Sequence, residues 1–132
     1  ETYRIDGEYQ ITQEDYVTGK VFKDAVSYSF YPIDVHDKNG VEPKHLMENI
    51  VPTVPLRALI PKGSRNFLVA GRSVSSDRQA NSALRVQASC MGMSQAAAVA
   101  AVVAVKFKTT PGNVPLAEIK SLLKEHGAIV PE

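Results

Sequence analysis

The sequence predicts an α+β fold, with a few antiparallel or mixed strands, a long helix of small residues and a C-terminal amphipathic helix. Near the N-terminus, apolar residues alternate in strand fashion around Gly7. Residues 84–108 contain no proline and form a helix-length apolar stretch. Residues 114–127 have helical spacing, with Pro115 in the first turn and Gly127 at the C-terminal cap. Four residues share its apolar face: Leu116, Ile119, Leu122 and Leu123.

Composition limits the class of protein before any motif is considered. The chain has 132 residues, the size of one ordinary domain, and 44% of them are hydrophobic, enough for a core. Fifteen basic and fourteen acidic residues nearly cancel, so the charge gives no case for nucleic acid or an anionic membrane as partner. The single cysteine, Cys90, excludes a disulfide framework within the chain. The start at Glu1 reads as the middle of a longer sequence, and a fragment, a processed chain and a trimmed chain are equally compatible with it.

The N-terminal segment predicts a short hairpin or bent strand followed by a short helix. The strand or hairpin is expected around Gly7. Thr12 and Asp15 have nearly the spacing of a capping box, which predicts the start of the helix. Gly19 is placed to end it.

Residues 24–37 are rich in aromatic and branched side chains and predict a strand. Pro32 places that strand at a sheet edge or a bulge, because proline has no N–H group for the ladder. A turn is expected at residues 37–40, and one helical turn within a loop at residues 43–49.

Two further strands are predicted before the long helix. Residues 53–61 form one candidate, and the apolar residues 67–71 predict a short strand buried on both faces. A strand, a glycine turn and a helix N-terminus together can form a crevice for a nucleotide. The signal is weak by itself, because the chain contains no G-x-G-x-x-G sequence.

Small residues recur every four positions along the long helix. Such a stripe lets another backbone approach closely, which favours tight packing against a sheet or a second helix in a soluble core. The alternative, a membrane contact, is disfavoured because polar residues interrupt the first half of the apolar run. The stripe consists of Gly92, Ala96, Ala100 and Ala104. The interrupting residues are Gln87, Ser89, Ser94 and Gln95.

Two stretches carry a family resemblance, "NFLVAGRSVSS" at residues 66–76 and "SALRVQASCMGMSQAAAVAA" at residues 82–101. Together they resemble the last flavin-binding segment of FAD-dependent oxidoreductases of the FAD-oxidored type, which reads roughly N-L-L-V-A-G-R-x-x-S and then G-Q-A-A-G. The upstream stretches "RIDGEYQITQEDYVTGKVFKDAV", "YPIDVHD" and "LRALIPKG" are similar to the same family, so the resemblance covers nearly the whole chain. Ser94 and Ala98 stand where the family tends to have glycine.

The resemblance implies the C-terminal portion of a two-domain flavoprotein that lacks the N-terminal G-x-G-x-x-G unit. Residues 1–65 would supply strands and loops of a substrate domain. Residues 66–132 would supply the FAD-contact strand, the long helix and a closing helix, and both parts could form one compact unit. The implied cofactor is FAD in the intact family, with binding by this chain alone left open. The implied partner is the N-terminal FAD-binding domain, and the small stripe of the long helix would pack close to it.

The resemblance also implies an activity, in which the flavin takes a hydride or electron pair from an organic substrate that the sequence does not identify. By itself the chain is expected to be inactive. The alternative belongs to another class: an isolated, inactive folded fragment, or a self-associating interaction module without bound flavin. A homo-oligomer is expected for the isolated chain, with neither nucleic acid nor membrane as partner.

By resemblance, the turn at Gly71 would lie beside the ribityl and pyrophosphate of FAD. The alternative is a tight turn followed by an exposed arginine. The residues leading into the long helix would bring its N–H groups towards the flavin pyrimidine carbonyl, where they could stabilise charge on the reduced ring. The alternative there is a surface arginine and a core valine. Six residues are predicted to contact the cofactor: Gly71, Arg72, Ser73, Arg85, Val86 and Gln87.

His36 is the candidate catalytic residue, because histidine transfers protons near neutral pH and Asp34 points to the same side of the predicted strand. The alternative is an ordinary polar strand edge. His45 and His126 are expected in solvent, and no metal site is predicted from the histidine spacing. Cys90 is predicted to pack in the core rather than act as a redox thiol. Four residues are interpreted as turn residues rather than a hydrolase site: Ser73, Ser75, Ser76 and Asp77.

Overall fold

The computed structural model describes residues 3–35 and 43–132 and confirms the predicted α+β class. His36 and the turn predicted at residues 37–40 lie outside the described residues. The described chain forms helices α1 (Gln13–Val17), α2 (Arg78–Leu84), α3 (Gln87–Lys106) and α4 (Leu116–Glu125), and strands β1 (Ala25–Tyr28) and β2 (Thr53–Pro55). Short 3-10 turns occur at Leu56–Leu59, Gly71–Ser73 and Pro111–Asn113.

Strands β1 and β2 form an antiparallel pair in which Ala25 lies opposite Pro55 and Tyr28 lies opposite Thr53. A bulge between Ala25 and Ser27 interrupts the register. All three residues of β2 are buried, so the pair lies inside the core.

Both predicted strands of this pair are shorter in the structure. The strand predicted at residues 24–37 ends at Tyr28, before Pro32. The strand predicted at residues 53–61 ends at Pro55 and continues as a 3-10 turn. Proline cannot donate to a strand ladder, which accounts for the early end of β2.

Of the hairpin or bent strand predicted around Gly7, the hairpin is not formed, because the partners of this segment are distant in sequence. The segment instead bends at Glu8 and Tyr9 and pairs with two other segments, Gly7 with Pro61 and Ile11 with Ser76. The N–H of Glu8 donates to Ile60 O at 2.9 Å, and the N–H of Ile11 donates to Ser75 O at 3.0 Å. A side chain at Gly7 would place its Cβ 2.6 Å from Ser75 Cβ, so this contact requires glycine.

Helix α1 confirms the predicted capping box. The N–H of Asp15 donates to Thr12 Oγ1 at 3.1 Å, and the Asp15 carboxylate accepts from the N–H of Thr12 at 3.1 Å. Gly19 follows the helix with a φ of +65°, the left-handed conformation that commonly ends helices. The prediction of both ends is therefore correct.

The buried strand predicted at residues 67–71 is not formed in the structure. Phe67 is 60% exposed, and residues 67–70 do not form a regular strand. The N–H of Val69 donates to Leu59 O at 2.8 Å. A strand buried on both faces needs neighbours on both edges and layers above and below, which the described residues do not supply. The helical turn predicted at residues 43–49 is also absent, and a turn at Glu48 and Asn49 occupies its end.

Helix α3 confirms the predicted long helix and the expectation that its small stripe packs tightly against a sheet or a second helix. The resemblance also implied that the stripe would lie against a domain outside this chain, and this part is wrong. Ala96, Ala100 and Ala104 are instead buried in the chain's own core, where α3 packs on β1 and α4. The opposite face is exposed and apolar, with Met91 64%, Val102 59% and Val105 79% exposed.

Helix α4 closes the core as predicted, with Ile119 and Leu123 buried and Gly127 at a φ of +75° after its end. One cluster of buried apolar residues extends from Ile11 to Val130 and draws on both predicted parts of the chain. Helix α3 is long and apolar enough to cross a membrane by length and composition, but 39% of its most apolar window is buried in the protein. Core helices of soluble proteins have the same length and apolar composition, so these properties are weak evidence for a membrane span.

Candidate functional site at the start of helix α3

An open pocket of about 410 Å³ lies where the chain turns from α2 into α3. Segments distant in sequence meet around it: the stretch after β1, the turn at Gly71–Ser73 and the junction of the two helices. Its lining consists of Tyr31, Asp34, Arg72, Ser82, Arg85, Val86 and Gln87.

The turn that carries Arg72 is held from behind by a buried amide. Gly71 has a φ of +83°, a conformation that residues with a side chain rarely adopt. Asn81, which is 1% exposed, donates through Nδ2 to Arg72 O and to Ser76 Oγ, both at 3.1 Å. The backbone of Arg72 is therefore fixed while its side chain remains exposed at the pocket.

The α2–α3 junction holds the stretch after β1 against the pocket. Arg85 caps the end of α2, and its guanidinium donates to Ser82 O at 3.2 Å and to Asp34 O at 3.5 Å. Ser82 Oγ accepts from the N–H of Asp34 at 3.2 Å and donates to Gln79 O at 2.7 Å. Asp34 is thus bound to α2 through its backbone.

Helix α3 begins at this pocket without a side-chain cap. Val86 is the N-cap residue, no side chain caps it, and no acidic residue lies in the first turn. The first N–H groups of a helix lack intrahelical partners, and the helix dipole places partial positive charge there. Since Val86 and Gln87 line the pocket, this charge lies at its wall beside Arg72 and Arg85. The arrangement suits an anionic group or a polarised carbonyl oxygen.

Cys90 lies one turn into α3, behind the glycine turn. Its thiol donates to Arg85 O at 3.4 Å, and a Cβ at Gly71 would lie 3.9 Å from its sulfur. Burial raises the pKa of the Cys90 thiol, and the positive charge of Arg72 opposes this only in part. The thiol is therefore protonated at neutral pH. Cys90 is half-buried and packs against the core, which agrees with its prediction as a packing residue.

The structure brings four of the six predicted contact residues to one pocket: Arg72, Arg85, Val86 and Gln87. Gly71 and Ser73 flank Arg72 in its turn and do not line the pocket. His36 lies outside the described residues, so its catalytic role stays a prediction. His45 and His126 are exposed, and the described residues contain no group of three or more His, Cys, Asp or Glu able to hold a metal ion.

Sequence reasoning missed three residues of this site: Tyr31 and Ser82 in the lining and Asn81 behind it. Tyr31 belonged to a segment interpreted as a regular strand, where nothing distinguished it. Ser82 and Asn81 lie in a short polar helix whose partners are far away in sequence. The one usable signal was the polar composition of α2, since buried polar side chains need hydrogen-bond partners.

Comparison with known families identifies the class of protein. The family model described as FAD dependent oxidoreductase matches residues 1–123, and the chain belongs to this family. No curated protein and no solved structure is significantly similar to the chain. The family assignment confirms the resemblance found in the sequence.

Proposed function

We propose that this chain contributes the second flavin-contact segment and part of the substrate domain of a FAD-dependent oxidoreductase. The observation that carries the proposal is the convergence of Arg72 and Arg85 with the uncapped start of α3 on one pocket, in a chain of this family. These features come from two segments, the turn at Gly71–Ser73 and the α2–α3 junction, and each feature favours negative charge or a carbonyl oxygen.

The pocket fits a portion of FAD rather than the whole cofactor. Two guanidinium groups and a helix N-terminus suit the pyrophosphate or the pyrimidine carbonyl, and the pocket is open on one side. Gly71 contributes through its left-handed backbone conformation, which starts the turn that carries Arg72. When bound, FAD supplies the acceptor for a hydride or an electron pair, while the residues of this chain bind and orient it.

The rest of the cofactor would be held by the N-terminal FAD-binding domain, because this sequence has no G-x-G-x-x-G unit. The surface proposed to contact that domain is the exposed face of α3, which carries Met91, Val102 and Val105. The second half of α3, residues 96–105, is apolar on every face, which is typical of a buried helix.

Titration of the chain into FAD, followed by flavin fluorescence and absorbance, tests the proposal. We expect the wild-type chain to perturb both signals and Arg72→Ala to weaken the affinity by about ten-fold or more, because one charge-assisted hydrogen bond contributes about 1.5–3 kcal/mol. The matched control is Arg65→Ala, which removes an exposed arginine outside the pocket. Unchanged signals with wild-type chain, or equal losses in both variants, contradict flavin binding at this pocket.

A second candidate function is self-association without bound flavin. The same exposed face of α3 favours it, because an apolar helical face in water is stabilised by covering it with a second copy. The two candidate functions differ in what covers the exposed face of α3. Sedimentation velocity of the isolated chain over a range of concentrations separates them.

A further inference from the structure

A chain of buried hydroxyl groups lies in the core beside the pocket. Three residues form it, and none is more than 3% exposed: Tyr16 in α1, Ser29 directly after β1 and Ser89 in the first turn of α3. Tyr16 Oη lies 3.1 Å from Ser29 Oγ, which lies 2.7 Å from Ser89 Oγ. Side chains from three elements therefore meet in one hydrogen-bonded line.

The Tyr16 hydroxyl also holds the backbone of Tyr31, which lines the pocket. It donates to Tyr31 O at 2.9 Å and accepts from the N–H of Tyr31 at 3.2 Å. At the other end of the line, Ser89 is the third residue of α3, and Val86 and Gln87, three and two positions before it, line the pocket. The line thus joins two walls of the pocket that are far apart in sequence.

The number of hydroxyl protons fixes the direction of every bond in this line. Tyr16 has one hydroxyl proton and gives it to Tyr31 O. Ser29 must therefore donate to Tyr16, and Ser89 must donate to Ser29. The Tyr16 oxygen then accepts two hydrogen bonds, from Ser29 and from the N–H of Tyr31, so its bonding capacity is filled. Burial raises the pKa of Tyr16, so the phenol keeps the proton that the arrangement needs.

We propose that Tyr16 is a positioning residue of the flavin site, whose hydroxyl fixes the Tyr31 wall relative to the start of α3. The inference rests on the proposed function for its effect on flavin. Its structural basis is independent of flavin, because removing the hydroxyl leaves the N–H and C=O of Tyr31 and the proton of Ser29 without their partners.

The test is Tyr16→Phe, measured by residue-resolved amide hydrogen exchange and by FAD affinity. We expect the amide of Tyr31 to exchange at least about ten-fold faster, with FAD affinity about ten-fold lower, because a set of buried hydrogen bonds is lost. Amides of α4 should be little affected. The control for stability is Ile119→Val, which removes one buried methyl group from α4 and leaves the hydroxyl line intact.

Several outcomes overturn the inference. Unchanged exchange at Tyr31 in Tyr16→Phe means that the hydroxyl does not hold this wall. Equal loss of FAD affinity in Ile119→Val means that Tyr16 acts through stability alone. If the wild-type chain binds no FAD, the proposed function and the effect on flavin fail together, while the exchange data still decide whether Tyr16 connects the two walls.

Discussion

The residue with the strictest backbone requirement at the site is Gly71. Its φ of +83° lies in the region that favours glycine, and it begins the turn that presents Arg72. A Cβ at this position would meet Cys90 Sγ at 3.9 Å, which is ordinary contact. The requirement for glycine therefore comes from backbone conformation rather than lack of space.

We expect Gly71→Ala to lower the free energy of unfolding by about 1–2 kcal/mol, the cost of a left-handed conformation in a residue with a side chain. Urea unfolding followed by circular dichroism measures this loss. The control is Gly112→Ala, where φ is not positive and the new Cβ would lie 3.6 Å from Ile60 Cδ1. A loss in Gly112→Ala as large as that in Gly71→Ala would show that the backbone conformation is not the cause.

At the scale of elements, α1 depends on charged groups at its two ends. Burial acts to raise the pKa of Asp15, but hydrogen bonds from Lys20, the N–H of Thr12 and Tyr9 together hold it below the ordinary value of 3.8. The bond to Asp15, 2.6 Å long, raises the pKa of Lys20 to about 12. Asp77 connects α1 to α2, because its carboxylate accepts from the N–H of Gln13 at 2.6 Å and from the N–H of Ala80 at 2.8 Å.

We expect Asp15→Asn to lower the free energy of unfolding by about 1 kcal/mol near neutral pH, a typical value for loss of a cap. A lowered folded-state pKa contributes stability above the unfolded pKa and loses it as pH falls through the folded one. The difference in free energy of unfolding between wild type and Asp15→Asn should therefore be largest above about pH 4 and become smaller below it. Urea unfolding across this range measures it, with the exposed neighbour change Glu14→Gln as control. A difference in free energy of unfolding that does not change with pH would show that the charge of the Asp15 carboxylate is not its cause.

At the scale of the whole molecule, the chain has one core but leaves one helix half covered. The buried cluster joins residues from α1 to the segment after α4. Helix α3 contributes its small stripe to this core and leaves an apolar face in solvent. The exposed residues Ala98, Val102 and Val105 recur at helical spacing and form one apolar surface, and the exposed Ser94 separates it from Met91.

We expect the isolated chain to self-associate through this surface as concentration rises, and Val105→Glu to abolish the association, because a carboxylate cannot be buried there unpaired. Sedimentation velocity over a range of concentrations measures it. The matched control is Ile129→Glu, which changes a residue 84% exposed outside α3. A wild-type chain that is monomeric at every concentration contradicts the second candidate function and leaves the FAD-binding domain as the proposed cover of α3.

Much of the fold could be predicted, because its signals are local. The capping box at Thr12, the extent of α3 and the apolar face of α4 each depend on residues within a few positions of one another. The strand at residues 67–71 could not be judged in this way, because its formation depends on neighbours that the described chain does not supply. For the site, Arg72 and Arg85 came from the resemblance, Tyr31 gave no signal, and Ser82 gave only the polar composition of α2.

By itself, the sequence determined the α+β class, the family and the helices that surround the core. Helical spacing, caps and motifs can be recognised in this way because each depends on residues close together in sequence. Only the tertiary structure decided which face of α3 is buried and which residues meet at its start. Those outcomes depend on contacts between distant segments, such as the hydrogen bond between Asp34 and Ser82 and that between Ser29 and Ser89. Packing selects such contacts from many that local spacing allows equally.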